Sequence, residues 1–180
     1  MYGDIRTLVG YSNYKNVNTS QACFANLFYH CWVLTSAPDL PATELAFNCY
    51  NGMFYWCPYL QNAPELPATK LNTQCYQNMF WGCTRLTKAP KLPATKLAFA
   101  CYNGMFKYCY WLQEAPELPA TTLAEQCYMD MFAYCYLTKA PKLPATELKP
   151  RCYTTMFSNC EKLKEVPELP ATKLAEFCYT

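Results

Sequence analysis

LPATELAFNCYNGMFYWCPYLQNAPE, residues 40–65, is followed at once by LPATKLNTQCYQNMFWGCTRLTKAPK, residues 66–91. The block returns from Leu92, Leu118, Leu143 and Leu169, so successive starts from Leu40 are 26, 26, 26, 25 and 26 residues apart. A fixed period of about 20–50 residues marks an array of stacked units, each able to bury its apolar face only against its neighbours. Such an array presents a long surface and rarely a closed catalytic pocket.

Working outward from this block, TSQACFANLFYHCWVLTSAPDLPAT already carries Cys23, Leu27-Phe28, Cys31 and Ala37-Pro38. Coil 1 therefore begins near Ser20. Coils 2 to 6 start at Leu40, Leu66, Leu92, Leu118 and Leu143, and the stretch from Leu169 to Thr180 reaches only the first turn of a seventh. The organisation expected is a lead-in, residues 1–19, that covers one end of the stack, and a repeat array over residues 20–180. At Thr180 either more chain or another subunit is expected to cover the array.

Within a coil, Cys49, Met53 and Cys57 fall at i, i+4 and i+8, with Phe54 beside them and Leu60 at i+11. That spacing predicts one face of a short helix. Pro150, two residues before Cys152, and Asn72 suit its start, and Pro58 stops it after Cys57. The return path, LQNAPELPATKL in coil 2, holds Pro64 and Pro67. Neither can donate to a ladder, so parallel pairing between coils is confined to the two or three residues beside them. Leu66, Ala68 and Leu71 are expected to point inward with Leu60. The fold class predicted is an α/β repeat solenoid of about six 26-residue coils, with short helices outside and very short parallel strands. Coil 5 is one residue short, Cys135-Tyr136-Leu137, which places the pair after the second Cys on an exposed corner, because a loop tolerates a deletion and a packed strand does not.

The sum of these motifs, MFxxCxxLxxAPxLPATxL, resembles the BspA-type leucine-rich repeats in a longer LPAT variant. The resemblance covers residues 20–180. It implies a right-handed leucine-rich-repeat solenoid. It also implies an extracellular place on a cell or virion surface, with adhesion to host or bacterial surface proteins or glycans. The family has no catalytic residues to carry over, and no cofactor is implied.

The formal charge is +2, from 15 basic and 13 acidic residues, which leaves no electrostatic footprint for nucleic acid or an anionic membrane. No apolar run approaches the ~18 residues of a spanning segment, so membrane insertion is not expected. There is no acid pair, nucleophile with base, phosphate loop or metal motif, and an enzyme is not expected. His30 is the sole histidine. The cysteines pair as C-x7-C in every complete coil, from Cys23/Cys31 to Cys152/Cys160. Eight helical residues span ~12 Å, beyond the ~7 Å limit for a bridge. Buried free thiols are the first reading, with bridges between coils and metal binding as alternatives. Tyr50, Tyr76, Tyr102, Tyr128, Tyr153 and Tyr179 read as a stacked ladder.

Charges alternate from coil to coil. Glu65, Lys91, Glu117, Lys142 and Glu168 form one row, and Lys88, Glu114, Lys139 and Glu165 another. In register, each rung would become a pair of opposite charges. The residues around the second Cys vary where the rest repeats, and they are rich in aromatics. Tyr29, Trp32, Tyr55, Trp56, Tyr59, Trp81, Arg85, Lys107, Tyr108, Tyr110, Trp111, Tyr134 and Tyr136 form the candidate binding surface. Differing rigid aromatics on a shared scaffold suit recognition of a partner. A non-enzymatic binding module is the function expected, with a surface protein or glycan as partner. The rival is a structural protein in which copies of the chain assemble head to tail into a filament.

Overall fold

The computed structural model describes residues 20–180. The lead-in predicted over 1–19 lies outside the described residues. Each coil lies on the next, and the contact is built from two unlike arcs.

The first arc holds the cysteines, and it is a ribbon of tandem turns. In coil 2 the amides of Asn51, Met53, Tyr55 and Cys57 donate to the carbonyls of Asn48, Tyr50, Gly52 and Phe54, three residues back, at 2.9–3.3 Å. The intervening amides, those of Asn48, Tyr50, Gly52, Phe54 and Trp56, donate instead to Thr73, Cys75, Gln77, Met79 and Trp81 of coil 3, at 2.7–2.9 Å. Coil 4 repeats the scheme onto coil 5 from Ala100 to Tyr108. Alternate amides therefore close turns, and the others join coils.

The helix predicted for Cys49–Cys57 is thus not what forms: among the described residues no helix is present. A helix would point every amide along its own axis, four residues back, and leave none for the next coil. The ribbon leaves half of them. Its backbone needs a left-handed residue every fourth position, at Asn48, Gly52 and Trp56 in coil 2 and at Ala100, Gly104 and Tyr108 in coil 4. Positive φ falls on the third residue of the turns 50–53 and 54–57, as a type II turn requires. The middle position of each triplet runs Asn26, Gly52, Asn78, Gly104, Asp130, Thr155. Gly, Asn and Asp bear this conformation at least cost, so five of the six coils place a suited residue there.

The second arc carries the prolines and pairs sparsely. Its contacts between coils are isolated parallel bridges, Ser36 to Asn62, Asn62 to Lys88 and Glu114 to Lys139 on one side, and Glu44 to Lys70, Lys96 to Thr122 and Glu147 to Lys173 on the other.

The core lies between the arcs as columns. Phe54, Phe80, Phe106 and Phe132 are fully buried and stack ring on ring at 5.5–5.7 Å, with Phe28 and the half-buried Phe157 at the ends. The tyrosine column stacks at 5.8–5.9 Å from Tyr50 to Tyr179, each pair worth ~0.5–1.5 kcal/mol beyond burial. Leu60, Leu66 and Ala68 are buried and Leu71 half-buried. In the short coil, Cys135 and Leu137 stay fully buried on either side of exposed Tyr136, so the deletion is absorbed at the corner.

Among the described residues no disulfide is present. Cys57, Cys83, Cys109 and Cys135 each donate Sγ–H to the carbonyl of a Phe in the preceding coil, Phe28, Phe54, Phe80 and Phe106, at 3.0–3.1 Å. The Phe54 carbonyl also accepts the Cys57 amide, so the thiol fills its second lone pair. A small apolar side chain with one weak donor suits this place. Burial pushes the Cys75 and Cys127 thiols up to about 12 and drives Cys83, Cys101, Cys109 and Cys135 well above the ordinary value.

Candidate binding surface

The structure divides the thirteen aromatic and basic residues singled out in the sequence into two strips. The inner strip is a ladder directly outside the phenylalanine column. Tyr29 stacks on Tyr55 at 5.0 Å, Tyr55 on Trp81 at 5.6 Å, Trp81 meets Tyr108 at 5.7 Å, and Tyr108 stacks on Tyr134 at 4.5 Å. From Trp81 the ladder steps to the neighbouring position, Tyr108, because Lys107 holds the place that the repeat assigns. The Lys107 ammonium lies 4.6 Å from the Trp81 ring centre and 3.2 Å from Asp130 Oδ1, which also accepts the Thr155 hydroxyl at 3.0 Å. Coils 3 to 6 are thereby tied together through one cation and one carboxylate.

Trp56 belongs to this strip too. Its indole lies over Gly82 of the next coil so closely that a Cβ there would come within 2.7 Å of Cδ2. Gly82 also has φ +73°, so glycine answers both constraints. Among these side chains Tyr55, Trp56, Trp81, Lys107, Tyr108 and Tyr134 are half-buried. Their rings and charge are already engaged with other coils, and they belong to the scaffold more than to a free face. Tyr29, at the coil 1 end, is half exposed.

The outer strip is the corner after the second Cys. Trp32 and Trp111 are about 60% exposed, at 62% and 58%, and Tyr59 and Tyr136 at 42% and 40%, so each presents a ring face or edge to solvent. Arg85 lies between them in the stack, its guanidinium carbon 4.5 Å over the Tyr59 ring. Tyr110 is half-buried and meets Tyr136 at 5.9 Å. The backbone under this strip is fastened: the Arg85 amide donates to Pro58 and the Trp111 amide to Thr84, at 3.3 and 3.2 Å. Rings held on a fixed backbone at coil-to-coil intervals can stack against a sugar or bury an apolar side chain with little loss of entropy. Beside Trp111 a recess of 290 Å³ is bounded by Thr87, Gln113 and Glu114.

No protein-family model, curated protein or solved structure matches this chain.

The left-handed triplets, Gly82 beneath Trp56 and Gly104 beneath Trp81 are the features that sequence reasoning missed. The signal was present: Asn-Gly, Gln-Asn and Met-Asp before Met-Phe place turn formers at the fourth residue from each left-handed neighbour. Among the described residues no three His, Cys, Asp or Glu side chains converge as a metal site requires.

Proposed function

We propose that this chain is a non-enzymatic binding module on a cell or virion surface, built as a BspA-type leucine-rich-repeat solenoid, that engages a protein or glycan through the corner strip. The observation that carries this reading is the exposed row of Trp32, Tyr59, Trp111 and Tyr136, with Arg85 among them, outside the stacked columns and on a fastened backbone. Large aromatics left in solvent at one repeated place serve contact, since the stack is complete without them. Anchors of this type carry most of an interface's energy.

The test replaces Tyr59, Trp111 and Tyr136 together by Ser. Thermal unfolding should move little, whereas binding to glycan arrays and to host or bacterial cell surfaces should fall at least ~100-fold, the cost of losing two or three anchors. Undiminished binding by a folded triple variant would remove the corner from the site.

A further inference from the structure

Among the described residues the alternating charges of the proline arc do not pair with one another. Among the described residues the ion pairs are Glu44 with Lys70, Glu147 with Lys173, and Lys107 with Asp130, and none joins the rungs that the sequence sets in opposition. Glu114 and Lys139 face each other across a backbone bridge, yet both are exposed and no ion pair joins them. Lys88, Lys91, Glu117, Lys142, Glu165 and Glu168 are likewise exposed.

The pattern has a definite geometry. The arc at 88–93 carries two lysines, that at 114–119 two glutamates, that at 139–144 two lysines, and that at 165–170 two glutamates. Their charges, +2, −2, +2 and −2, sum to zero, and the two preceding arcs add only Asp39 and Glu65, so the face has little pull on a polyanion. What it has is order. Three notches lie between successive arcs, of 450, 420 and 560 Å³, walled by prolines such as Pro90, Pro116 and Pro141 together with rung charges such as Lys91, Glu117 and Lys142, and the middle one is mainly apolar.

We infer that this proline face is a self-complementary interface on which a second copy of the chain docks antiparallel. The two-fold axis would lie in the interface, across the stack, at the middle notch between the arcs at 114–119 and 139–144. It reverses the order of coils while keeping each row opposite itself. Lys88 then meets Glu165 of the other copy, Lys91 meets Glu168, Glu114 meets Lys139 and Glu117 meets Lys142, and symmetry repeats all four. An axis along the stack would instead set Lys91 against Lys91 and Glu117 against Glu117. These four alternating arcs are complementary to themselves only in the antiparallel arrangement, with Asp39 and Glu65 beyond the overlap, and that arrangement closes as a dimer and does not polymerise. Each arc then faces an arc of the other copy and each notch faces a notch, so the contact is made by the charged rungs. This inference is independent of the corner strip.

Exposed charge pairs of this kind give a weak dimer whose partner choice comes from charge order. The experiment is sedimentation equilibrium on the full chain, with thermal unfolding to verify that each variant is folded. The parent should form a dimer at low salt at concentrations up to ~0.5 mM and dissociate as salt screens the pairs. Glu117→Lys alone and Lys142→Glu alone should each weaken association at least ~10-fold, because each homodimer then carries like charges at two symmetric contacts. An equal mixture of the two should dimerise within ~3-fold of the parent, since every contact is again opposite in sign, and so should the double swap E117K/K142E. Register control within one chain predicts no rescue on mixing. A parent that stays monomeric, grows into polymers or associates independently of salt overturns the inference, as does a mixture no tighter than its components. If a single variant does not fold, the folded double swap decides: parent-like affinity supports the interface and loss of the dimer overturns it.

Discussion

The two arcs of a coil share the same 26-residue step and differ in how they spend their polar groups. On the ribbon arc, from Asn48 to Cys57, alternate amides close turns and the remainder bond the next coil, over side chains buried to zero exposure. On the proline arc, from Asn62 to Lys70, the coils touch through isolated bridges and leave charges in solvent. Prolines cannot donate, so no continuous ladder can form there. Cohesion therefore resides on one side of the coil, and the other side is available for contact with something else.

The largest test of that contrast is alkaline pH. The Cys75 and Cys127 thiols are held at about 12, against 9.0 for an exposed thiol, because burial disfavours the thiolate. The folded chain thus binds these protons more tightly than the unfolded chain. The stability they contribute is fully present below about pH 9 and is lost as pH rises from there towards 12. Each such thiol gives ~1.4 kcal/mol per pH unit in that window, and Cys83, Cys101, Cys109 and Cys135 share the direction. Circular dichroism against pH should show cooperative unfolding within one or two units above pH 9. A fold that persists at pH 12 would mean that the thiol columns are hydrated. At neutral pH, a thiol reagent should label exposed Cys23 and half-buried Cys31 well before the inner cysteines.

Next in size is Phe106→Ala, which removes a fully buried ring stacked between Phe80 and Phe132 and should cost ~3–5 kcal/mol in chemical denaturation. Pro119→Ala, on the exposed side of the proline arc, should cost under ~1 kcal/mol. Equal losses would dissolve the distinction between the arcs.

Gly82→Ala is expected to cost ~2–3 kcal/mol, from the clash with Trp56 and from a left-handed backbone that alanine resists. In a Trp56→Ala background the clash disappears and only the backbone cost of ~1–2 kcal/mol remains. A double-mutant cycle with no coupling would place Trp56 away from Gly82. The smallest effect belongs to the corner: Trp111→Ser should change stability by under ~0.5 kcal/mol, whereas Trp56→Ser, though also an aromatic beside the second Cys, should cost ~2 kcal/mol or more.

Much of the molecule was legible from the spacing of residues. The recurrence every 26 residues located the coils, and the cysteine, tyrosine and phenylalanine positions separated inside from outside, because burial follows the repeat whatever the backbone path. The path was not legible in the same way. Cys49, Met53 and Cys57 share a side in a helix and also in a ribbon of turns with a left-handed residue at every fourth position, so a period of four does not discriminate between them. Turn chemistry at Gly52, Asn78, Gly104 and Asp130 pointed to the ribbon, but its decisive bonds run to another coil.

The sequence by itself determined the repeat, the inward columns and the alternation of charge, since these are properties of order along the chain. Tertiary structure alone decided three things: that the amides cross between coils, that Trp56 is scaffold while Trp111 is surface, and that the rung charges of the proline arc do not pair with one another among the described residues. Each depends on what the neighbouring coil places opposite, a glycine under one indole and solvent around the other, and no single coil contains that information.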